Sequence, residues 1–189
     1  MLVLDIVFWK RSVPMNFLMH TGKAECFDPV FSLMEQAFPP CERRNREGQL
    51  RVAKHPAYSY RILEDEQGDF LGFLAVWHFG SFRFAEHFAV NEKTRGMGIG
   101  SQALRRWLEE EDTPAVLEVE FPETDIARRR IGFYQRLGFV LNEFPYLQPA
   151  MQSGQPPVPL KIMSWPGSLS EAEFEPMKQT IYAQVYGVE

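Results

Sequence analysis

The sequence predicts a mixed α/β (α+β) domain, in which helices flank a central, mostly antiparallel sheet. The apolar pattern changes repeatedly between the three-to-four-residue spacing of a helix and the two-residue alternation of a strand. Neighbouring strand segments are joined by short turns, which is typical of antiparallel pairing. Apolar residues make up 45% of the 189 residues, enough for the core of one domain.

The first half of the chain predicts one helix and four strands. Residues 16–19 indicate an edge strand, and residues 27–38 a helix whose apolar face ends before two prolines. The polar stretch 41–54 is either a loop or a second short helix. Alternation predicts strands at 58–63, 70–79 and 82–90, the first two as a hairpin. In the third, one face is expected to carry Phe84, Glu86, Phe88 and Val90, and the other Ala85, His87 and Ala89.

The second half alternates helices with strands. It predicts a helix at 101–112, a strand at 116–121 and a helix at 125–137, with Asp125 as its cap and Gly138 just after its end. Strands at 139–147 and 158–165 surround a loop at 148–157 rich in Pro, Gln, Gly and Ser. Ser170 and Glu173 match a capping box that opens an amphipathic helix.

Three segments are therefore expected. Residues 1–15 form an N-terminal extension, and Met15 is an alternative start. Residues 16–166 form the domain. Residues 167–189 form a C-terminal amphipathic helix that either packs on the domain or makes the interface of a homodimer, since its apolar stripe has to be covered.

Composition narrows the classes of partner and compartment. The net charge of −5 argues against a nucleic-acid partner. No apolar run approaches the ~20 residues that span a membrane, and Lys10 and Arg11 follow the first apolar run instead of preceding it as in a signal peptide. Cys26 and Cys41 are expected to be reduced thiols of a cytoplasmic protein, and no His or Cys spacing indicates a metal site.

The most informative segment is a glycine-rich turn between a strand and a helix. It runs Arg95, Gly96, Met97, Gly98, Ile99, Gly100 and Ser101. Unpaired N–H groups and the dipole at a helix start form a site for a phosphate. The spacing excludes the Rossmann fingerprint, because Ser101 stands where its third glycine is needed, and a Walker A loop is also excluded. A turn without a ligand is the alternative interpretation.

Two segments together resemble the GNAT N-acetyltransferase superfamily. Arg95, Gly98 and Gly100 after a strand ending in Phe88, Ala89 and Val90 resemble its pyrophosphate loop. About 35 residues later, Tyr134 followed by Gly138 and Phe139 resembles the end of its later helix. The resemblance covers residues 58–147 well and implies a GNAT-like acyl-CoA N-acyltransferase fold. Many relatives carry Asn and Ala where this chain has Ala127 and Arg130, so the contact of that Asn with coenzyme A is not carried over.

The resemblance implies transfer of an acetyl group from acetyl-CoA, as cosubstrate and without a metal, directly to a primary amine. Residues 95–101 would then hold the pyrophosphate, and backbone N–H groups near residues 88–90 would stabilise the carbonyl oxygen. Tyr134 is the candidate general acid for the departing thiolate, with a core aromatic as the alternative. Arg128, Arg129 and Arg130 are interpreted as a solvated helix face in preference to a phosphate contact.

Glu86 is the first candidate for the general base, because burial among aromatic rings should raise its pKa. Glu118 and Glu120 on the next strand, or an ordered water, are the alternatives. His87 is expected to point away from Glu86 and to be structural. Neither cysteine carries the features of an activated nucleophile.

The acceptor is a small-molecule or peptide amine, and the acidic strand faces suit a cation. The loop 148–157 is expected to cover its site, with Tyr58, Tyr60 and Tyr146 either lining it or packing in the sheet. A module that senses acyl-CoA without turnover, and an assembly scaffold with no affinity for coenzyme A, are the competing hypotheses.

Overall fold

The structure is a computed structural model that describes residues 16–22, 24–152 and 154–188. The predicted extension at 1–15 lies outside these residues. The strands and helices have the following bounds: β1 Leu18–Gly22, α1 Phe27–Ala37, α2 Arg46–Val52, β2 Tyr58–Glu64, β3 Phe70–His78, β4 Arg83–Val90, α3 Ile99–Glu109, β5 Ala115–Val119, α4 Asp125–Gln135, β6 Val140–Leu141, β7 Tyr146–Gln148, β8 Val158–Trp165 and α5 Glu171–Ile181. A π-helical turn, Tyr182–Tyr186, follows α5.

The strands form one mixed sheet in the order β1-β2-β3-β4-β5-β8-β6, and β7 pairs with another part of β8. The neighbouring strands are antiparallel except for β4 and β5, which are parallel and joined through α3. These two strands pair only from Arg83 opposite Ala115 to Ala85 opposite Leu117. Beyond that point they separate, which leaves a gap in the middle of the sheet. The predicted fold class, mixed and mostly antiparallel with flanking helices, is confirmed.

Helices cover both faces of the sheet. One core cluster joins α1 and α5 to the first face and includes Phe31, Trp77 and Phe174. A second joins α3 and α4 to the opposite face and includes Leu104 and Leu117, and a third, smaller cluster includes Leu71 and Ile99. The apolar stripe of α5 therefore packs on the domain itself, which is the first of the two alternatives for this helix. Its predicted capping box between Ser170 and Glu173 is present.

Several predicted boundaries are corrected. The edge strand β1 begins at Leu18 instead of residue 16, and the polar stretch forms the short helix α2 with Asn45 as its cap. The strand predicted over 139–147 is two short strands, because the Asn142 side chain turns inward and donates to Ser164 Oγ (2.9 Å) and Ile162 O (3.2 Å). The start of α4 is also different. Thr124 Oγ1, not Asp125, accepts the capping hydrogen bond from the N–H of Ala127.

The helix α4 ends at Gln135, before the predicted limit. Gly138 follows with a φ of 92°, a backbone conformation that residues other than glycine rarely adopt. The expectation that this glycine ends the helical turn is confirmed, although the last regular helical residue comes earlier.

A β-bulge overturns the predicted faces of β4. Val76 pairs with Ala85 and Ala75 pairs with His87, so Glu86 is an extra residue. Glu86 remains on the face of Phe84, whereas Phe88 packs on the opposite core. The prediction that Phe84, Glu86, Phe88 and Val90 share one face is therefore wrong. So is the prediction that His87 points away from Glu86.

Candidate active site

The gap between β4 and β5 opens into a cavity of about 310 Å³ that reaches both faces of the sheet. On the face of α3 and α4, its walls include Leu104, Leu117 and Tyr134. On the face of α1 and α5, they include both polar and apolar groups, namely Phe38, Glu42, Glu86, Glu118, Gln148 and Met151. Because the cavity passes between two strands, groups from both faces can reach one point.

The start of α3 lies at one edge of this cavity. Gly98 caps the helix with a φ of 78°, and Gly96 has a φ of 81°. A Cβ atom on Gly100 would lie 3.4 Å from the Phe88 ring, an ordinary contact distance, so the start of α3 lies directly beside β4. The first N–H groups of the helix face outward with the positive end of the helix dipole. The predicted loop thus has the backbone geometry that suits a pyrophosphate, and Arg95 lines the cavity beside it.

The backbone of β4 also faces the gap. The N–H of Asn91 donates to Leu71 O on β3 at 2.7 Å. Successive residues of a strand direct their N–H groups to opposite sides, so those of Phe88 and Val90 point toward the gap and that of Ala89 toward β3. The structure thus separates the three residues predicted near the carbonyl oxygen. Phe88 and Val90 are the two that direct donors into the cavity.

Tyr134 lies near the end of α4 and lines the same cavity. Its ring packs against Phe133 and Phe139, with centroid distances of 5.2 and 5.8 Å. Burial raises the pKa of its hydroxyl, and the charge of Arg130 acts against this rise. Among the residues that the structure describes, none forms a hydrogen bond with the hydroxyl. Tyr134 is therefore held by its ring, and its proton is available to a molecule in the cavity.

Glu86 is buried and paired with a cation. Arg44 Nη1 donates to its Oε1, and Trp77 Nε1 donates to Oε2 at 3.0 Å. Burial opposes ionisation, but the charge of Arg44 and the hydrogen bonds from Arg44 and Trp77 lower the pKa of Glu86 below its ordinary value. The predicted direction of this shift is therefore wrong. The reason is Arg44, which comes from the segment before α2 and lies 42 residues away in sequence.

Glu118 lies across the gap on β5 and has a different environment. Tyr146 donates to its Oε1, Gln148 Nε2 donates to Oε2 at 2.8 Å, and the Tyr186 hydroxyl lies 2.9 and 2.8 Å from the two oxygens. Burial raises the pKa of Glu118 to about 7, against the effect of these donors, and the charge of Glu86 adds to the rise. Its carboxyl group therefore titrates near neutral pH.

Two further carboxylates lie at the rim of the cavity. Glu120 accepts a hydrogen bond from Arg130 Nη1 at 2.8 Å. Burial and the charge of Glu120 raise the pKa of Glu42, and Arg130 lowers it. Glu118 and Glu120 both line the cavity, although β5 ends at Val119 and Glu120 lies just after the strand. Arg130 thus pairs with Glu120 outside its helix, whereas Arg128 pairs with Asp125 of the same helix at 2.7 Å.

His87 lines the cavity as a neutral ring. Its Nε2 lies 2.8 Å from the Glu42 carbonyl oxygen, which can only accept, so the proton sits on Nε2. Burial lowers the pKa of His87 and keeps the ring neutral, although Glu86 acts in the opposite direction. Its Nδ1 is then a lone pair, buried and without a hydrogen-bond partner among the described residues, and it lies 3.9 Å from Glu86 Oε2.

The three tyrosines expected near the acceptor have different positions. Tyr58 and Tyr60 lie in the core, where their hydroxyls contact Gln49 Nε2 at 2.8 and 3.2 Å. Tyr146 contacts Glu118.

Part of the loop predicted as a cover is anchored, because Gln152 Nε2 donates to the carbonyls of Pro40 and Arg43. The contacts of Arg44 with Glu86 and of Tyr186 with Glu118 were not predicted, because residues distant in sequence form them only in the folded chain.

Within residues 16–22, 24–152 and 154–188, no group of three or more His, Cys, Asp or Glu side chains is arranged to hold a metal ion. No helix in the same ranges combines the length and apolar character that a membrane span requires.

Comparisons of sequence and of structure with known proteins point to the same family, the GNAT acetyltransferases. The sequence profile of the acetyltransferase (GNAT) domain matches residues 56–141. A solved structure assigned to the GNAT acetyltransferase family, from Bacteroides thetaiotaomicron, is 31% identical with a TM-score of 0.83. The match covers 93% of this chain and 100% of that one. A search of curated proteins finds no match.

More distant structures share the fold. The ribosomal-protein-S18-alanine N-acetyltransferase of Escherichia coli is 17% identical with a TM-score of 0.60, over 82% of this chain and 96% of that one. A chimeric spermidine N-acetyltransferase derived from Vibrio cholerae is 15% identical with a TM-score of 0.60, over 78% and 93% of the two chains.

Proposed function

The chain belongs to the GNAT family of acetyltransferases, and on that basis we propose that it transfers an acetyl group from acetyl-CoA directly to an amine. The observation that carries the proposal is the cavity between β4 and β5. It has a helix N-terminus suited to a pyrophosphate at one edge, and it contains a carboxyl group that titrates near pH 7. A cavity that reaches both faces of the sheet lets two substrates meet inside it.

The cosubstrate side is formed by α3 and β4. The N–H groups at the start of α3, with Arg95 beside them, would hold the pyrophosphate of coenzyme A. The N–H groups of Phe88 and Val90 would donate to the thioester carbonyl oxygen, where negative charge develops during attack. The glycines at 96, 98 and 100 keep side chains away from this path.

Glu118 is the general base in this proposal. Glu118 takes a proton from the bound ammonium group, and the uncharged amine then attacks the thioester carbon, so that a C–N bond forms and the C–S bond breaks. Tyr134 donates its proton to the departing thiolate, and the second proton that the nitrogen loses replaces the one that Tyr134 gave up. Glu86, the first candidate from the sequence, is paired with Arg44 and has a lowered pKa, so it is the weaker base of the two.

The acceptor side suits an amine with a positive charge and a modest apolar body. Four glutamates line it, of which Arg44 neutralises Glu86 and Arg130 pairs with Glu120. The other two are Glu42 and Glu118. Phe38 and Met151 supply apolar walls.

The test combines binding with turnover. Acetyl-CoA binding is measured by calorimetry, and a panel of amines and N-terminal peptides is screened by release of free thiol. We expect binding, turnover with at least one amine, and a loss of about 10²–10⁴-fold in kcat in Glu118→Gln with unchanged affinity for acetyl-CoA.

Glu86→Gln serves as the comparison variant. A larger loss of kcat in Glu86→Gln than in Glu118→Gln would return the role of base to Glu86. Binding without turnover of any amine would favour an acyl-CoA-binding module. Absence of binding would contradict the proposed function.

A further inference from the structure

The matched acetyltransferase profile ends at residue 141, but the environment of Glu118 is formed beyond it. The side chains that donate hydrogen bonds to this carboxylate are Tyr146 and Gln148 on β7 and Tyr186 after α5. Tyr186 lies 68 residues from Glu118 along the chain. The C-terminal segment therefore reaches the centre of the candidate active site.

We infer that Tyr186 is a positioning residue for Glu118, and that through this one side chain the C-terminal segment takes part in the active site. This inference rests on the proposed function for the role of Glu118 as the base. It goes beyond that function by assigning a task to a segment that the matched profile does not include.

The contact geometry supports a specific role for the Tyr186 hydroxyl. It lies within 2.9 Å of Oε1 and 2.8 Å of Oε2, so a single group spans both carboxylate oxygens. Gln148 Nε2 lies 3.0 Å from the same hydroxyl and 2.8 Å from Oε2, which closes a small ring of hydrogen bonds. Such a ring fixes the rotation of the carboxyl group and leaves limited acceptor capacity for a molecule in the cavity.

The turn that carries Tyr186 is itself held on both sides. Arg44 Nη2 donates to Val185 O at 2.6 Å, and the Tyr182 hydroxyl donates to Leu147 O at 2.5 Å. The side chains of Ile181 and Val185 are buried in the core. The turn ends at Gly187, which has a φ of 68°. Contacts within the protein thus hold Tyr186 in position without a bound substrate.

The groups that face Glu118 determine the direction of the expected effect. Tyr146 and Tyr186 contact it, Tyr182 lies nearby, and Glu86 with its partner Arg44 approaches from β4. Hydroxyl donors stabilise the ionised carboxylate. Removing one of them should make Glu118 harder to ionise, so the pH needed for activity should rise.

The experiment compares Tyr186→Phe with the matched control Tyr182→Phe. Both remove one hydroxyl from the same turn, but the Tyr182 hydroxyl contacts Leu147 O, not Glu118. We expect the acid limb of the kcat/KM profile to move upward by about one pH unit in Tyr186→Phe, since a hydrogen bond to a charged group contributes about 1.5–3 kcal/mol. The acid limb of the Tyr182→Phe profile should stay at the wild-type pH, because the Tyr182 hydroxyl makes no hydrogen bond to Glu118.

A direct titration separates this inference from the proposed function. Glutamate labelled with ¹³C in the side-chain carboxyl is titrated by NMR, and the Glu118 signal is assigned by its loss in Glu118→Gln. An upward shift in Tyr186→Phe alone supports the contact even if no amine is turned over, in which case the proposed function fails and the positioning contact stands. An unchanged Glu118 titration, or equal shifts in both tyrosine variants, overturns the inference.

Discussion

Glu86 and Glu118 lie on neighbouring strands and line one cavity, but Arg44 neutralises the first, whereas hydroxyl and amide donors hold the second. Their pKa values are thereby pushed apart, one below its ordinary value and the other to about 7. Two nearby carboxyl groups with separated pKa values indicate an acid–base site. Arg44 determines which of the two titrates near neutral pH.

Glu118 should make the stability of the protein depend on pH. Its pKa of about 7 when folded lies above the ordinary 4.5, so the folded state binds the extra proton between these values. The free energy of unfolding should therefore fall as the pH rises from 5 to 8, by up to about 3 kcal/mol from this group. Urea titrations at both pH values measure it. Glu118→Gln should remove most of this slope, and an identical slope in the variant would contradict the assignment.

Arg44 should be far more important for stability than its surface neighbour. Arg44→Met leaves the buried Glu86 without its cation and should lower the free energy of unfolding by about 3–5 kcal/mol. Arg46→Met is the control, because Arg46 forms an exposed pair with Asp28 and should cost about 1 kcal/mol or less. Adding Glu86→Gln to Arg44→Met should recover part of the loss. Equal costs for the two arginines in a urea titration would count against the buried pair.

The anion site at the start of α3 can be tested without unfolding the helix. Ser101 is the third residue of α3, where a carboxylate favours the helix through its dipole. Ser101→Asp should therefore keep or raise the melting temperature, yet weaken acetyl-CoA binding by tenfold or more, about 1.4 kcal/mol, through repulsion of the pyrophosphate. Calorimetry measures the affinity. Ser101→Asn, equal in size but neutral, should bind nearly as the wild type does, and equal losses in both variants would indicate a steric effect.

Tyr134 should matter for turnover but little for stability. Its hydroxyl has no hydrogen-bond partner among the described residues, so Tyr134→Phe leaves no buried group unpaired. We expect kcat to fall by about 10²–10⁴-fold while the acetyl-CoA dissociation constant and the melting temperature stay close to the wild type. Thiol release, calorimetry and thermal unfolding report the three quantities. Full activity in this variant would show that another group protonates the thiolate.

The parts of the site that the sequence predicted are local in the chain. The strand, glycine turn and helix around residues 88–101 are formed by neighbouring residues, and Tyr134 follows from a short motif. Arg44 meets Glu86 across 42 residues and Tyr186 meets Glu118 across 68, and no spacing rule connects such pairs.

The bulge at Glu86 explains the wrong faces of β4. Its sequence alternates as an unbroken strand would, and the extra residue is visible only against its partner β3. The predicted rise of the Glu86 pKa was wrong for a related reason. The sequence indicated that Glu86 is buried, but it did not indicate that Arg44 pairs with it.

The separation of β4 and β5 also bears on the order of events in catalysis. The cavity is lined by side chains from both faces of the sheet, so each reactant can occupy its own side of it. Neither has to leave before the other arrives, and a bulky acceptor such as a chain terminus can present one nitrogen from its own side. Initial-rate lines that intersect, as for a ternary complex, are the kinetic pattern that this architecture favours over a ping-pong scheme.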